Sequence, residues 1–304
     1  ALSDTATVGL IFLIGRCWFT IRIGLLAALF SALAVLGIQL SHFFAVDTIL
    51  VLLVTATVFF AVRTAHKGEM RDSALGGLFL GLAIATKASA IVLVIPVLTA
   101  HLIFLISSKG DSFRFSNPIN EKLNANLEIV LGRLAMLLGI CFLTLLITQP
   151  YMFLDFDTFK TDISDESAMV RRDVDLPYTR QYIETTRYFY QAWQLGTYGL
   201  GPVLGVLTLI GLGSAVILAW RHRKKTDLVI LGWLIPYLLI TGWFEVKFLR
   251  YMLPALPFLL LYGARVAWWA FDWTKKRRRP FGYMAPLVIG FLVVTTGHYA
   301  ISYE

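Results

Sequence analysis

The chain has 304 residues, 58% of them hydrophobic and only 15% charged, with a formal net charge of +8. A soluble domain of this size carries about a quarter charged residues, so the composition excludes an ordinary water-soluble enzyme. It points to a polytopic helical membrane protein, and the alternating pattern of a membrane β-barrel is missing.

Apolar runs predict membrane helices near 6–14, 23–40, 48–62, 73–86, 88–106, 126–148, 197–219, 227–243, 250–271 and 281–300. This gives an all-α fold of about nine to ten passes in one transmembrane domain spanning 1–304. The first run is about ten residues and too short to cross a bilayer. It is also wrongly flanked for a signal peptide, which predicts that the sequence lacks an N-terminal part. Lys87 interrupts 73–106, which reads either as one very long helix or as two passes.

Charge decides between those readings. With two passes, the segments 15–22, 63–72, 107–123, 220–226 and 272–280 share one side and hold 17 of the 27 Lys and Arg residues. That is the cytoplasmic excess of basic residues expected of a membrane protein. It accounts for the net positive charge without a nucleic-acid partner. One pass would send "RHRKK" and "KKRRRP" outside together. The predicted location is therefore the cell inner (plasma) membrane. "SHFFAVD", the break at Lys87, the long loop 149–196 and "FEVKFLR" would all lie on the non-cytoplasmic side.

That side collects the ionisable residues that topology does not explain. Asp47 reads as the N-cap of a helix starting at Thr48, a role compatible with holding an acceptor or acting as a base. His42, in the same stretch, reads as interfacial or as a substrate contact. Lys87 is flanked by apolar residues on both sides, so it either snorkels to the interface or serves function.

The loop 149–196 is much longer than an ordinary connection and rich in aromatics from Tyr151 to Trp193, which argues against disorder. "FDTFKTDISDESAMV" predicts a short interfacial helix, and "DLPYTRQY" a turn entering a new segment. Arg171, Arg172, Arg180 and Arg187 interleave with Asp173, Asp175 and Glu184, with Tyr178 among them, and form either a salt-bridged cap or a phosphate-binding set. In "FEVKFLRYMLPALPFL", Lys247 and Arg250 are three residues apart and suited to clamp a phosphate jointly. The alternative is local pairing with Glu245. Pro254 and Pro257 would kink the helix behind them. "GGLFLG" and "GPVLG" predict close helix packing, and His101 and His298 read as satisfied or interfacial rather than as tetrapyrrole ligands. Cys17 and Cys141 offer no disulfide or metal spacing, and no Walker, HExxH or GxSxG motif is present.

Three segments, "SHFFAVDTILVLLVTATVFFAVR", "GLFLGLAIATKASAIVLVIPVL" and "KFLRYMLPALPFLLLYGA", together resemble the polyprenyl-phosphate-dependent glycosyltransferases of the GT-C membrane fold. Within that fold they are most similar to the bacterial protein O-mannosyltransferase and aminoarabinose-transferase branch. The resemblance implies transfer of a sugar from a polyprenyl-phosphate carrier to an acceptor on the outer face, with inversion. It places Asp47 beside the catalytic cavity, Lys87 in the "TK" run, and Arg250 with Tyr251 near the lipid phosphate. It implies no cofactor, although the acidic outer loop is compatible with a divalent metal. The principal acidic pair of the family has no counterpart in this chain. A non-catalytic membrane subunit of a larger protein complex therefore stands as the alternative, and a lipid or solute transporter as a third reading that would require inverted repeats.

Overall fold

The computed structural model describes residues 1–43, 45–106, 120–276 and 284–302. Among the described residues there is no β-strand. The helices are α1 (Leu2–Trp18), α2 (Ile21–Ala32), α3 (Val35–His42), α4 (Val46–Lys67), α5 (Met70–Thr86), α6 (Val94–Ile106), α7 (Asn120–Thr148), α8 (Tyr151–Leu154), α9 (Phe156–Arg171), α10 (Phe189–Gln194), α11 (Pro202–His222), α12 (Lys225–Trp243), α13 (Leu256–Lys276) and α14 (Met284–Ser302). Three-residue-per-turn segments cover Ala88–Leu93, Pro177–Tyr182 and Leu249–Ala255, and one wide turn covers Leu195–Gly199.

Six described segments are long and apolar enough to cross a membrane, or seven if the pair Ile21–Ala32 and Val35–His42, bent by 52°, counts as one. The helices α1 and α5, 17 residues each, sit at the short limit for a span. The first helix is longer than its apolar run. Ser3, Asp4 and Thr5 extend it at one end, and Arg16 and Cys17, expected in a loop, continue it at the other. Of the segment "KKRRRP", central to the charge argument, the two lysines end α13 and residues 277–280 lie outside the described residues.

The chain divides into two compact units. The first comprises Ala1–Leu52, Phe189–Ile217 and Leu249–Glu304. Its centre is a glycine contact between α1 and α2, where a Cβ on Gly15 would lie 2.4 Å from the Gly24 Cα. Only glycine at both positions permits this approach. The helix α13 packs across both, with Phe19 edge-on to Tyr262 at 6.5 Å and Arg265 over the Phe19 ring at 5.3 Å. In "GPVLG", Gly205 meets the Gly196 backbone, so the small-residue spacing does serve close packing. Pro254 has no N–H to donate, and the expected single helix over 250–271 accordingly begins as the tighter segment Leu249–Ala255 before α13.

The second unit comprises Leu53–Tyr188 and Leu218–Phe248. Its main contact is between α5 and α7. Gly77 faces Leu137, where a Cβ would lie 2.4 Å from the carbonyl oxygen, and Gly81 faces Cys141 and Thr144. The partner number rises with the residue number, so α5 and α7 run parallel. The chain must travel back between them, and 88–106 is the described segment that can do so. The break falls at Lys87, which ends α5 in an extended conformation (φ −156°, ψ 120°). At the other end of the unit, α4 and α5 are joined by a buried ion pair, Arg63 Nε to Asp72 Oδ1 at 2.7 Å. His101 is satisfied by the Ser73 hydroxyl (3.1 Å) and the Val97 carbonyl (2.9 Å). In the first unit, His298 meets the Ser302 hydroxyl at 3.0 Å.

Candidate anion site at the long loop

The long loop builds its site by satisfying helix ends. The helix α9 starts at Asp155, whose carboxylate accepts from the Thr158 N–H (3.3 Å), and it stops at Arg172 in the left-handed conformation (φ 61°). The Val170 carbonyl in its last turn has no partner within the helix. It accepts instead from the Glu245 and Val246 N–H groups, at 3.2 and 3.1 Å. The C-terminus of α12 is closed in the same way. Tyr188 donates its N–H to the Gly242 carbonyl (3.2 Å) and its hydroxyl to the Leu239 carbonyl (3.2 Å). Gly242 is required here, because a Cβ would lie 2.2 Å from the Tyr188 ring.

These backbone contacts bring four charged side chains together. Arg187 donates from Nε to Glu245 Oε1 at 2.9 Å and again from Nη2, and its guanidinium lies 4.1 Å from the centre of the Trp243 ring. Lys247 donates from Nζ to the Glu245 carbonyl (3.0 Å), with Glu245 Oε2 at 3.9 Å. Only 2% of Lys247 is exposed. Arg172 lies close enough to bias both Glu245 and Lys247. Phe248 is stacked against Tyr178 (6.3 Å) and edge-on to Tyr182 (5.5 Å), which fixes the strand of chain that carries Lys247.

The electrostatics are unbalanced. Three cations surround one carboxylate. The hydrogen bond from Arg187, helped by the charges of Arg187, Lys247 and Arg172, holds the Glu245 carboxyl below the usual carboxylate range. Burial pushes Lys247 below its ordinary value, and Arg187 and Arg172 push it further, while Glu245 alone pulls it up. Such a cluster is built to accept another anion with at least two charges.

The other expected site residues are placed as follows. In the second unit, exposed Arg171 pairs with Asp173 (2.9 Å) and Ser167 (2.7 Å), and Arg180 grips Asp175 with two nitrogens (3.0 and 2.7 Å). Both are surface pairs of the cap type, and the Arg180 contact holds Asp175 below the carboxylate range. Half-buried Lys87 ends α5, a favourable place for a cation. In the first unit, α4 begins at Val46, so Asp47 is not the cap but sits in the first turn, only 4% exposed. His42 donates from Nδ1 to the Ile38 carbonyl (2.8 Å) near the end of α3, which packs against Leu249–Ala255. In that segment exposed Arg250 lies 5.9 Å from the ring centre of buried Tyr251. Arg187 stood in the sequence only as one of four loop arginines, and Glu245 as a local partner of Lys247 and Arg250; their pairing with each other was not expected. Among the described residues, no three His, Cys, Asp or Glu side chains gather as metal ligands.

Residues 1–125 match the family model described as dolichyl-phosphate-mannose-protein mannosyltransferase. Comparison with curated proteins yields no match. Among solved structures, ArnT from Cupriavidus metallidurans, apo and bound to undecaprenyl phosphate, is similar over 99% of this chain at 15% identity, with a TM-score of 0.54. The apo oligosaccharyltransferase of Archaeoglobus fulgidus is similar over 99% of this chain at 14% identity, with a TM-score of 0.57. The chain spans 60% of the length of ArnT and 44% of that of the oligosaccharyltransferase. At this identity the likeness is one of fold. The chain shares the GT-C fold of these two proteins.

Proposed function

We propose that this protein is a membrane glycosyltransferase that moves a sugar from a polyprenyl-phosphate carrier to an acceptor hydroxyl on the outer face of the membrane. One observation carries this reading. A buried lysine, Lys247, is held among Arg187, Arg172 and one carboxylate, where the long loop 149–196 meets the end of an apolar helix. A lipid-linked phosphate has the charge that this cluster lacks, on a chain that can lie along an apolar helix surface.

In the proposed reaction the acceptor oxygen attacks the anomeric carbon and its proton passes to a carboxylate, for which the sequence reading nominates Asp47. The bond from the anomeric carbon to the phosphate oxygen breaks, with inversion, and the electron pair leaves on the phosphate. The carrier enters as a singly charged diester and leaves as a monoester that carries nearly two charges. Lys247, Arg187 and Arg172 stabilise that growing charge. The sequence reading adds Arg250 as a further phosphate contact. No step requires a metal.

The test is transfer of label from a polyprenyl-phosphate sugar by the full chain in proteoliposomes. Lys247→Glu, which puts a repelling charge in the cluster, is expected to abolish transfer. Asp47→Asn and Arg250→Ala are expected to lower it at least tenfold, the scale of one charged contact. Undiminished turnover by Lys247→Glu would remove the cluster from the reaction.

A further inference from the structure

In the same unit, α5 and α6 both pack on α7, which carries Arg133. This arginine is half-buried within Leu127–Thr148, a segment long and apolar enough to cross a membrane. It is six residues past Leu127, about 9 Å along the helix. Because helical side chains lean toward the N-terminus, its guanidinium reaches back toward the start of α7 and the bilayer surface. There it lies over the Phe104 ring of α6, 4.6 Å from the ring centre. Its Nη1 is buried without a hydrogen-bond partner.

Among the described residues, no carboxylate pairs with Arg133. In the parallel register of α5 and α7, the contacts of Gly77 with Leu137 and Gly81 with Cys141 put Ser73 at the level of Arg133. The Ser73 hydroxyl faces His101 Nε2. The His101 Nδ1 meets the Val97 carbonyl, which can only accept, so Nδ1 carries the proton and the Ser73 hydroxyl donates to Nε2. Serine and neutral histidine both present no negative charge. The acid of this layer, Asp72, is engaged by Arg63 at 2.7 Å. The outward face of α7 here is mostly apolar, with Ile129, Leu131 and Leu138 about half exposed, and the exposed carboxylate of Glu128 lies nearer the start of the helix without pairing with Arg133.

A guanidinium inside an apolar span, without a carboxylate partner among the described residues, is costly unless an anion joins it. We infer that the notch between Phe104 and Arg133 binds the phosphate of an anionic phospholipid from the leaflet that meets the N-terminal end of α7. The ring braces the guanidinium, whose remaining N–H groups are free to take the phosphate oxygens, and the acyl chains lie along Ile129 and Leu131. Basic notches between membrane helices are a recurrent way to hold such headgroups.

The experiment uses the purified full chain in a neutral detergent and counts retained phosphatidylglycerol by native mass spectrometry, with phosphatidylcholine and inorganic phosphate as parallel arms. Phosphatidylglycerol is expected to be retained and to raise the melting temperature more than phosphatidylcholine. Arg133→Gln should weaken that retention about fivefold, the effect of one basic residue at a membrane surface. Arg133→Lys should keep part of it. Phe104→Leu, which leaves the charge and removes the brace, should also lower it and serves if Arg133→Gln does not fold. Equal retention in wild type, Arg133→Gln and Phe104→Leu would overturn the inference, as would equal stabilisation by inorganic phosphate alone.

Discussion

Replacing Lys247 with methionine should separate binding from stability. Methionine matches the length of the lysine stem, and the position is only 2% exposed. Bringing an ammonium out of water costs several kcal/mol. The hydrogen bond to the Glu245 carbonyl at 3.0 Å returns about 1 kcal/mol. The Glu245 carboxylate at 3.9 Å adds about 1 kcal/mol if screened as in water and about 4 kcal/mol at an effective dielectric constant near 20. These terms nearly cancel, and Glu245 keeps Arg187 as a partner, so no carboxylate is orphaned. Lys247→Met should therefore leave thermal stability in detergent unchanged or raise it by about 1 kcal/mol. The same variant removes a charged donor to a phosphate, worth about 1.5–3 kcal/mol, or roughly ten- to a hundredfold in affinity. Calorimetric titration with undecaprenyl phosphate, beside a melting curve, reads both quantities. A variant that melts several degrees lower yet binds the lipid phosphate as tightly would show that Lys247 is a structural strut and that the anion-site argument is wrong.

Three further outcomes follow from the same geometry. Arg187→Ala should loosen the loop by about 1–2 kcal/mol, a small value because Arg187 and Glu245 are 40% and 32% exposed and the pair is screened. Protease nicking of 149–188 would report it, and a Glu245→Gln, Arg187→Ala double-mutant cycle should couple by about 0.5–1 kcal/mol. Because the Glu245 carboxyl is depressed, its contribution is complete above the ordinary carboxylate value near 4 and fades as pH falls through its lower folded value. Loop protection should then be level from about pH 7 to 5 and fall below about pH 4, a step that Glu245→Gln removes. Gly77→Val should cost about 2–3 kcal/mol or prevent folding, since its Cβ would meet the Leu137 carbonyl oxygen at 2.4 Å rather than a movable side chain. A lower melting temperature in detergent would show it.

What the sequence made legible follows from the range of each interaction. The membrane class and the helices could be read because hydropathy is summed over many neighbouring residues. The break at Lys87 was legible because a lone cation interrupts an apolar run. The packing of "GGLFLG" could be anticipated because small residues at helical spacing serve that purpose. The start of α4 at Val46 was harder to see. Asp47 is favourable both as a cap and in the first turn of a helix, so its identity does not settle the register between them.

The anion cluster shows the opposite limit. Lys247 and Glu245 are two residues apart, and their pairing could be read locally. Arg187 reaches Glu245 across 58 positions, with no charge pattern that announces it. Six arginine or lysine candidates in and beside the loop, Arg171, Arg172, Arg180, Arg187, Lys247 and Arg250, looked equivalent on composition. The orphan carbonyls at two helix ends distinguish them. The Val170 carbonyl draws in the backbone at Glu245, and the Gly242 carbonyl draws in Tyr188, the residue after Arg187. Arg171 and Arg180 have acids two and five residues away and close on them instead. Backbone hydrogen bonding at the end of α9 and α12 thus selects which basic residues face a shared anion. A glycine at 242 is the one sequence signal that could have pointed there, because it marks a place where another part of the chain must come close.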